Sequence, residues 1–137
     1  MEITCRKLNK DDYDQYLVNW WRDWNWDPPE REFLPDNGEC GIMVCANGRP
    51  VCAGFMYVTN SSVAWVDWII SDKHFREKPY RKKCLESCVS ELTRLAEMNG
   101  YKYVYALIKH TGLKELYKSL NYIEADTYNS EMILKLK

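Results

Sequence analysis

Val63-Ala64-Trp65-Val66-Asp67-Trp68-Ile69-Ile70 is followed, five residues on, by Arg76-Glu77-Lys78-Pro79-Tyr80-Arg81-Lys82-Lys83. The first stretch is apolar except for one aspartate and reads as a strand. The second is a short basic loop, with Lys or Arg at five of its eight positions. Beyond it, Leu85, Cys88, Val89, Leu92, Leu95 and Ala96 recur at a 3.6-residue period, so a long amphipathic helix is predicted from about Pro79 to Met98. Proline is tolerated in a first helical turn, and Asn99-Gly100 is a helix stop. A loop that enters a helix N-terminus offers unpaired N–H groups and a positive dipole end, which suits a phosphate-bearing ligand.

Working outward toward the N-terminus, Asn60-Ser61-Ser62 turns the chain into this strand. Gly41–Ala46 and Val51–Thr59 are two further predicted strands around Asn47-Gly48, a hairpin signal because both positions tolerate positive φ. The three strands form an antiparallel meander. Ile3–Leu8 alternates as a first strand. Asn9 or Asp11 is placed to cap a helix with Tyr13, Tyr16, Leu17, Trp20, Trp21 and Trp24 on one face, broken by Asp27-Pro28-Pro29. Glu30–Asn37 is a turn or a second small helix.

Toward the C-terminus, Tyr101–Ile108 is predicted as a fifth, central strand. Thr111 or Gly112 begins a short helix with Leu113, Leu116, Tyr117 and Leu120 on one face, and Tyr122–Ala125 and Glu131–Leu136 close the chain as two strands. The layout is a single α/β (α+β) domain over residues 1–137, with one mixed, mostly antiparallel sheet flanked by helices.

Composition agrees with one globular domain: 46% of the 137 residues are hydrophobic and 14% aromatic. A net charge of −1 gives no global attraction to nucleic acid or membrane, so any electrostatic pull is local to residues 76–83. Met1-Glu2-Ile3-Thr4-Cys5-Arg6 contains no apolar signal-peptide core, and no apolar run is long enough to span a bilayer. A cytoplasmic location and reduced thiols are therefore expected for the six cysteines. None forms a CxxC pair and neither histidine lies near a cysteine cluster, so no metal is expected and buried small-hydrophobe roles come first.

The order of elements resembles the GNAT N-acetyltransferase superfamily over essentially the whole chain. Two local stretches carry the likeness. Ser71-Asp72-Lys73-His74-Phe75-Arg76-Glu77-Lys78-Pro79-Tyr80-Arg81 matches the family's approach to its long helix, with Phe75-Arg76 and Lys78 retained. His110-Thr111-Gly112-Leu113-Lys114-Glu115-Leu116-Tyr117-Lys118-Ser119-Leu120-Asn121-Tyr122 matches a second stretch, with Leu116-Tyr117 in register and Asn121-Tyr122 in place of Gly-Phe. The Trp-rich first helix, Pro28-Pro29 and Phe33-Leu34-Pro35 resemble small phage-encoded members in particular.

The resemblance implies an acyl-CoA N-acyltransferase fold with acetyl-CoA or another acyl-CoA as cosubstrate. It implies that Ile69, Ile70 and Ser71 offer backbone groups to pantetheine, and that Arg76, Lys78, Arg81 and Lys82 hold the phosphates. The family's phosphate loop carries glycines where this chain has Pro79 and Arg81. Proline has no N–H to donate and arginine is bulky where close approach is wanted, so charge from Arg81, Lys78 and Lys82 stands in for geometry. The competing reading is a solvated basic helix start.

Asp67 matches the position of a general-base carboxylate in histone-type members, and Tyr117 matches a tyrosine that protonates the departing thiolate. The alternatives are a solvent-facing Asp67 and a plain core tyrosine. His110 replaces a frequent asparagine and is either a cofactor contact, a base or a surface residue. Trp20, Trp21, Trp24 and Trp26 exceed what one helix face needs, so Trp26 and one of Trp20 and Trp21 are expected to point outward. Trp21, Trp24 and Trp26 are the candidate acceptor-binding residues, by stacking or cation–π contact, unless they pack under the Pro28-Pro29 turn.

The leading expectation is acetyl transfer to a primary amine of a small molecule or peptide. The alternatives are a catalytically degenerate domain that binds a protein or nucleotide, and a phage-type enzyme modifying a nucleobase or nucleic acid. Asp23, Asp27, Glu30 and Glu32 repel a phosphate backbone and disfavour the last. No membrane partner is expected, and a homodimer is allowed.

Overall fold

A computed structural model describes all residues 1–137. The chain runs β1 (Ile3–Lys7), a π-helical turn (Tyr13–Leu17) continuing into α1 (Val18–Asp23), and two 3-10 turns (Arg31–Phe33 and Pro35–Gly38). It then forms β2 (Ile42–Ala46), β3 (Arg49–Tyr57), β4 (Val63–Ser71), α2 (Tyr80–Met98), β5 (Tyr103–Tyr105) and α3 (Thr111–Ser119). One five-stranded sheet has the order β1-β2-β3-β4-β5, antiparallel through β4, with β5 parallel to β4.

The β2–β3 hairpin turns at Asn47 (φ 48°) and Gly48 (φ 80°), the left-handed pair that matches strand twist. Strand alternation divides the core in two. Val44, Cys52 and Val66 face α2 and α3, meeting Cys84, Cys88, Val89, Leu92, Leu116 and Tyr117. Met43, Cys45, Ala53 and Ile70 face the other way, onto Leu17, Trp20, Trp21 and Leu34. Each fully buried Val or Leu on these faces contributes about 1.5–3 kcal/mol. All six cysteines are free thiols. No helix is long and apolar enough to cross a membrane.

The start of the first helix is held by Asn9, whose Oδ1 accepts the Asp11 amide at 2.9 Å, together with an ion pair. Buried Asp12 accepts two bonds from Arg6 (2.7 and 2.9 Å) and one from the Asn9 amide (2.8 Å). Burial pushes the Asp12 carboxyl up, but these partners outweigh it and hold it below its ordinary value.

The structure corrects three expectations. The fifth strand is three residues long and lies at the sheet edge, with Tyr103 and Leu107 exposed, because the chain parts from β4 after Tyr105. Neither Tyr122–Ala125 nor Glu131–Leu136 forms a strand, and Ile123, Met132, Leu134 and Leu136 are exposed. Alternation gives a segment a face but not a neighbour, and a ladder needs both. Both Trp20 and Trp21 are buried, so neither of that pair points outward.

Candidate active site

β4 and β5 pair only from Val63↔Tyr103 to Trp65↔Tyr105, while β4 continues to Ser71. The sheet therefore opens between β4 and the chain leaving β5. Three features shape this opening, and all sit on β4. At the first, Gly54 alone faces both Trp68 and Ile69, between the pairs Ala53↔Ile70 and Phe55↔Asp67. This bulge places Trp68 at φ 56°, a left-handed conformation that costs a bulky residue about 1–3 kcal/mol. The Trp68 indole is braced edge-on by Trp21 (6.2 Å) and Phe33 (5.6 Å).

The second is Asp67, partly buried on this strand. Its Oδ1 accepts the amide of Trp68 (2.9 Å) and its Oδ2 accepts the amide of Leu107 (3.2 Å). The carboxylate thus bridges the gap at the point where strand pairing has stopped. Burial raises the Asp67 carboxyl above its ordinary value of 3.8, against the two amide bonds that favour the anion, and the charge of Glu131 adds to the rise.

The third is the Val66 carbonyl, one residue past the last strand pair, which accepts the buried hydroxyl of Tyr117 from α3 at 2.9 Å. Leu116 and Tyr117 lie on the apolar face of α3 against α2, and the Tyr117 ring meets Tyr122 edge-on at 4.8 Å. Burial first, then the charge of Asp67, pushes the Tyr117 phenol far above its ordinary value. Asp67 and Tyr117 are therefore brought together at the split.

At the outer end of β4 the amide of Asp72 donates to the Val51 carbonyl (2.7 Å). By strand alternation the N–H and C=O of Ser71 then face away from β3, into the opening. The Ser71 carbonyl accepts Trp24 Nε1 at 2.9 Å. Of the three residues expected to offer backbone groups, Ser71 thus retains only its N–H, and the Ile70 side chain is committed to the core.

The basic loop divides between inward and outward groups. Arg76, Lys78 and Lys82 are exposed; Arg76 Nε reaches the Lys73 carbonyl at 3.4 Å, and Lys82 lies 3.9 Å from Glu86. Arg81 instead turns inward, donating to the carbonyls of Asp72 (2.8 Å) and Phe75 (2.9 Å) and to Ser71 Oγ (2.7 Å). The amides of Arg76, Glu77, Lys78, Tyr80 and Lys82 have no backbone acceptor. Those N–H groups and three exposed cations fit a phosphate-bearing ligand.

His110 is the residue before α3, at the far side of the opening, and its ring meets Trp26 edge-on at 6.4 Å. Trp26 is 45% exposed and stacks on Trp24 at 6.0 Å. Trp21 is separated from this group: it packs between Tyr13 and Trp68 inside the core, leaving no face for an acceptor. Asp72 was not singled out in the sequence. It accepts the His74 amide (2.9 Å) and pairs with Arg49 (3.0 Å), ordering the loop entry. An Asp two residues before an amide it can accept, just past a strand, was the available signal.

No family profile matches the chain, and no curated protein does. Solved structures do. An aminoglycoside acetyltransferase from an uncultured soil metagenomic sample, in complex with sisomicin, superimposes with a TM-score of 0.69 at 12% identity over 97% of each chain. An aminoglycoside N-acetyltransferase in complex with CoA gives 0.65 at 16% identity, covering 96% of this chain and 95% of that one. A ribosomal-protein alanine N-acetyltransferase from Escherichia coli gives 0.68 at 19%, covering 91% and 80%. At these identities the likeness concerns architecture: the chain has the fold of GNAT acetyltransferases.

Proposed function

We propose that this chain is an N-acyltransferase moving an acyl group, acetyl in the first instance, from CoA to a primary amine of a small molecule or peptide. The observation that carries the reading is the convergence of Asp67 and Tyr117 on the point where β4 and β5 part. N-acetyltransferases of aminoglycosides and of a protein alanine share the fold, which supports the reaction class.

In this reading Ile69 and the Ser71 N–H line the pantetheine path, with His110 at its far side; Ile70, paired to Ala53 and buried, does not reach it. Arg76, Lys78, Lys82 and the free loop amides hold the phosphates. Bound acyl-CoA supplies an activated carbonyl and a thiolate leaving group. Asp67 takes the proton of the acceptor ammonium, directly or through water, and its raised pKa makes it a stronger base than an ordinary carboxylate. Tyr117 Oη carries the proton that the leaving group needs and releases the Val66 carbonyl to give it. The exposed Trp26 face, near Asp23 and Asp27 in sequence, favours a cationic acceptor over a nucleic-acid backbone.

A second reading keeps the fold without the chemistry, as a binding domain. It is favoured by the internal engagement of Arg81, the Ser71 carbonyl and the Tyr117 hydroxyl. Calorimetric titration with CoA and acetyl-CoA separates the two. Saturable binding is expected, with Asp67→Asn and Tyr117→Phe each lowering kcat roughly 100-fold while CoA affinity holds. Absence of binding at about 1 mM ligand would overturn the acyltransferase reading in favour of the second.

A further inference from the structure

The guanidinium of Arg81 points the wrong way for a phosphate ligand. It lies beneath the turn between β4 and α2 and gathers three oxygens: Ser71 Oγ (2.7 Å) and the carbonyls of Asp72 (2.8 Å) and Phe75 (2.9 Å). It also lies 5.7 Å from the centroid of the Trp24 ring. Trp24 in turn donates Nε1–H to the Ser71 carbonyl at 2.9 Å. Lys73 lies 5.5 Å from the same ring and donates to the Asp23 carbonyl at 3.3 Å. Ser71 is thus held at both its hydroxyl and its carbonyl, and the end of α1 is tied to the start of α2 around the tip of β4.

We infer that Arg81 and Trp24 are positioning residues for the phosphate loop, replacing glycine geometry with a clamp that turns loop carbonyls inward and loop amides outward. The inference rests on the acyl-CoA reading above. Its physical basis is the trans peptide plane, in which C=O and the next N–H point in opposite directions. Drawing the Phe75 carbonyl onto Arg81 aims the Arg76 amide away from the protein. The neighbouring amides of Glu77, Lys78, Tyr80 and Lys82 also have no backbone acceptor. The inward turn carries the Arg81 stem off the outer surface, which removes the steric objection to a bulky residue where the family has glycine. The planar fork of arginine meets these three acceptors from two nitrogens held in fixed geometry, whereas a lysine ammonium offers its donors from a single nitrogen on a flexible stem.

Four variants test this: Arg81→Lys keeps the charge, Arg81→Ala removes it, Trp24→Phe keeps a ring without the N–H, and Lys78→Ala removes an outward cation. Two readouts are used: hydrogen exchange of the hydrogen-bonded His74, Phe75 and Arg81 amides in the unliganded protein, and calorimetric CoA affinity, with cooperative unfolding checked for each. Faster loop exchange is expected in both Arg81 variants and in Trp24→Phe, with α2 beyond residue 84 unchanged. CoA affinity should fall about 10-fold in Arg81→Lys and Arg81→Ala alike, the loss expected for charge-assisted bonds. Trp24→Phe should weaken CoA several-fold without any change in charge. Lys78→Ala should weaken CoA while leaving loop exchange as in wild type. Wild-type affinity in Arg81→Lys would show direct charge recognition and overturn the inference, as would unchanged exchange in Arg81→Ala and Trp24→Phe. In those cases wild-type CoA binding leaves the acyltransferase reading standing; failure of the wild type to bind CoA removes both.

Discussion

Asp67 is where stability and chemistry meet in one side chain. Its carboxylate is desolvated, and only two amides and a partial opening to solvent offset that cost. Because its folded pKa is raised above 3.8, the native state binds this proton more tightly than the unfolded chain does. The resulting stabilisation is full below the ordinary carboxylate range and is lost as pH rises through the raised value. Urea unfolding of wild type and Asp67→Asn from about pH 4 to about pH 8 should therefore show the wild type losing stability relative to the variant as pH rises. The same ionisation should appear as a rising limb in the pH profile of kcat/KM, absent from Asp67→Asn. An aspartate inside an apolar strand was legible in the sequence as a residue with a task. That its two oxygens would take the amides of Trp68 and Leu107 was not, since one of those partners lies 40 positions away.

At the scale of elements, periodicity and turn chemistry placed β1 to β4, α2 and α3 within a residue or two. These elements bury one face each and carry their own stops, such as Asn47-Gly48 and Asn99-Gly100. The β4 bulge escaped, because it is a property of a pair of strands: one residue of β3 opposite two of β4. Gly54 is its hinge. A Cβ there would run into Ile69 Cδ1 and come within 2.9 Å of Leu92 Cδ1. Gly54→Ala should cost about 1–3 kcal/mol in chemical denaturation, and by moving Ile69 it should weaken CoA more than a remote substitution of equal stability cost. The π-helical turn Tyr13–Leu17 escaped for a related reason. Its widened turn, just before the buried Trp20 and Trp21, leaves no mark in local residue spacing.

At the scale of the whole molecule, the segment after α3 contributes little to the core. Met132 is 88%, Leu134 81% and Leu136 84% exposed. Replacing all three with serine should change the unfolding free energy by less than about 0.5 kcal/mol each, because none leaves a cavity. A loss of several kcal/mol would mean that these residues are buried in solution. The sequence by itself determined the fold class, the order of elements, the basic loop before α2, and the candidacy of Asp67 and Tyr117. The first three rest on local spacing or on residue type, which the chain carries without reference to its partners; the roles of Asp67 and Tyr117 are what the resemblance to GNAT proteins implies. Only the tertiary structure decided that Tyr117 reaches Val66, that Trp21 belongs to the core, that β5 is a short edge, and that Arg81 faces inward onto Ser71 and Trp24. Those outcomes depend on which distant groups compete for the same donors and acceptors, and that competition exists only once the chain has folded.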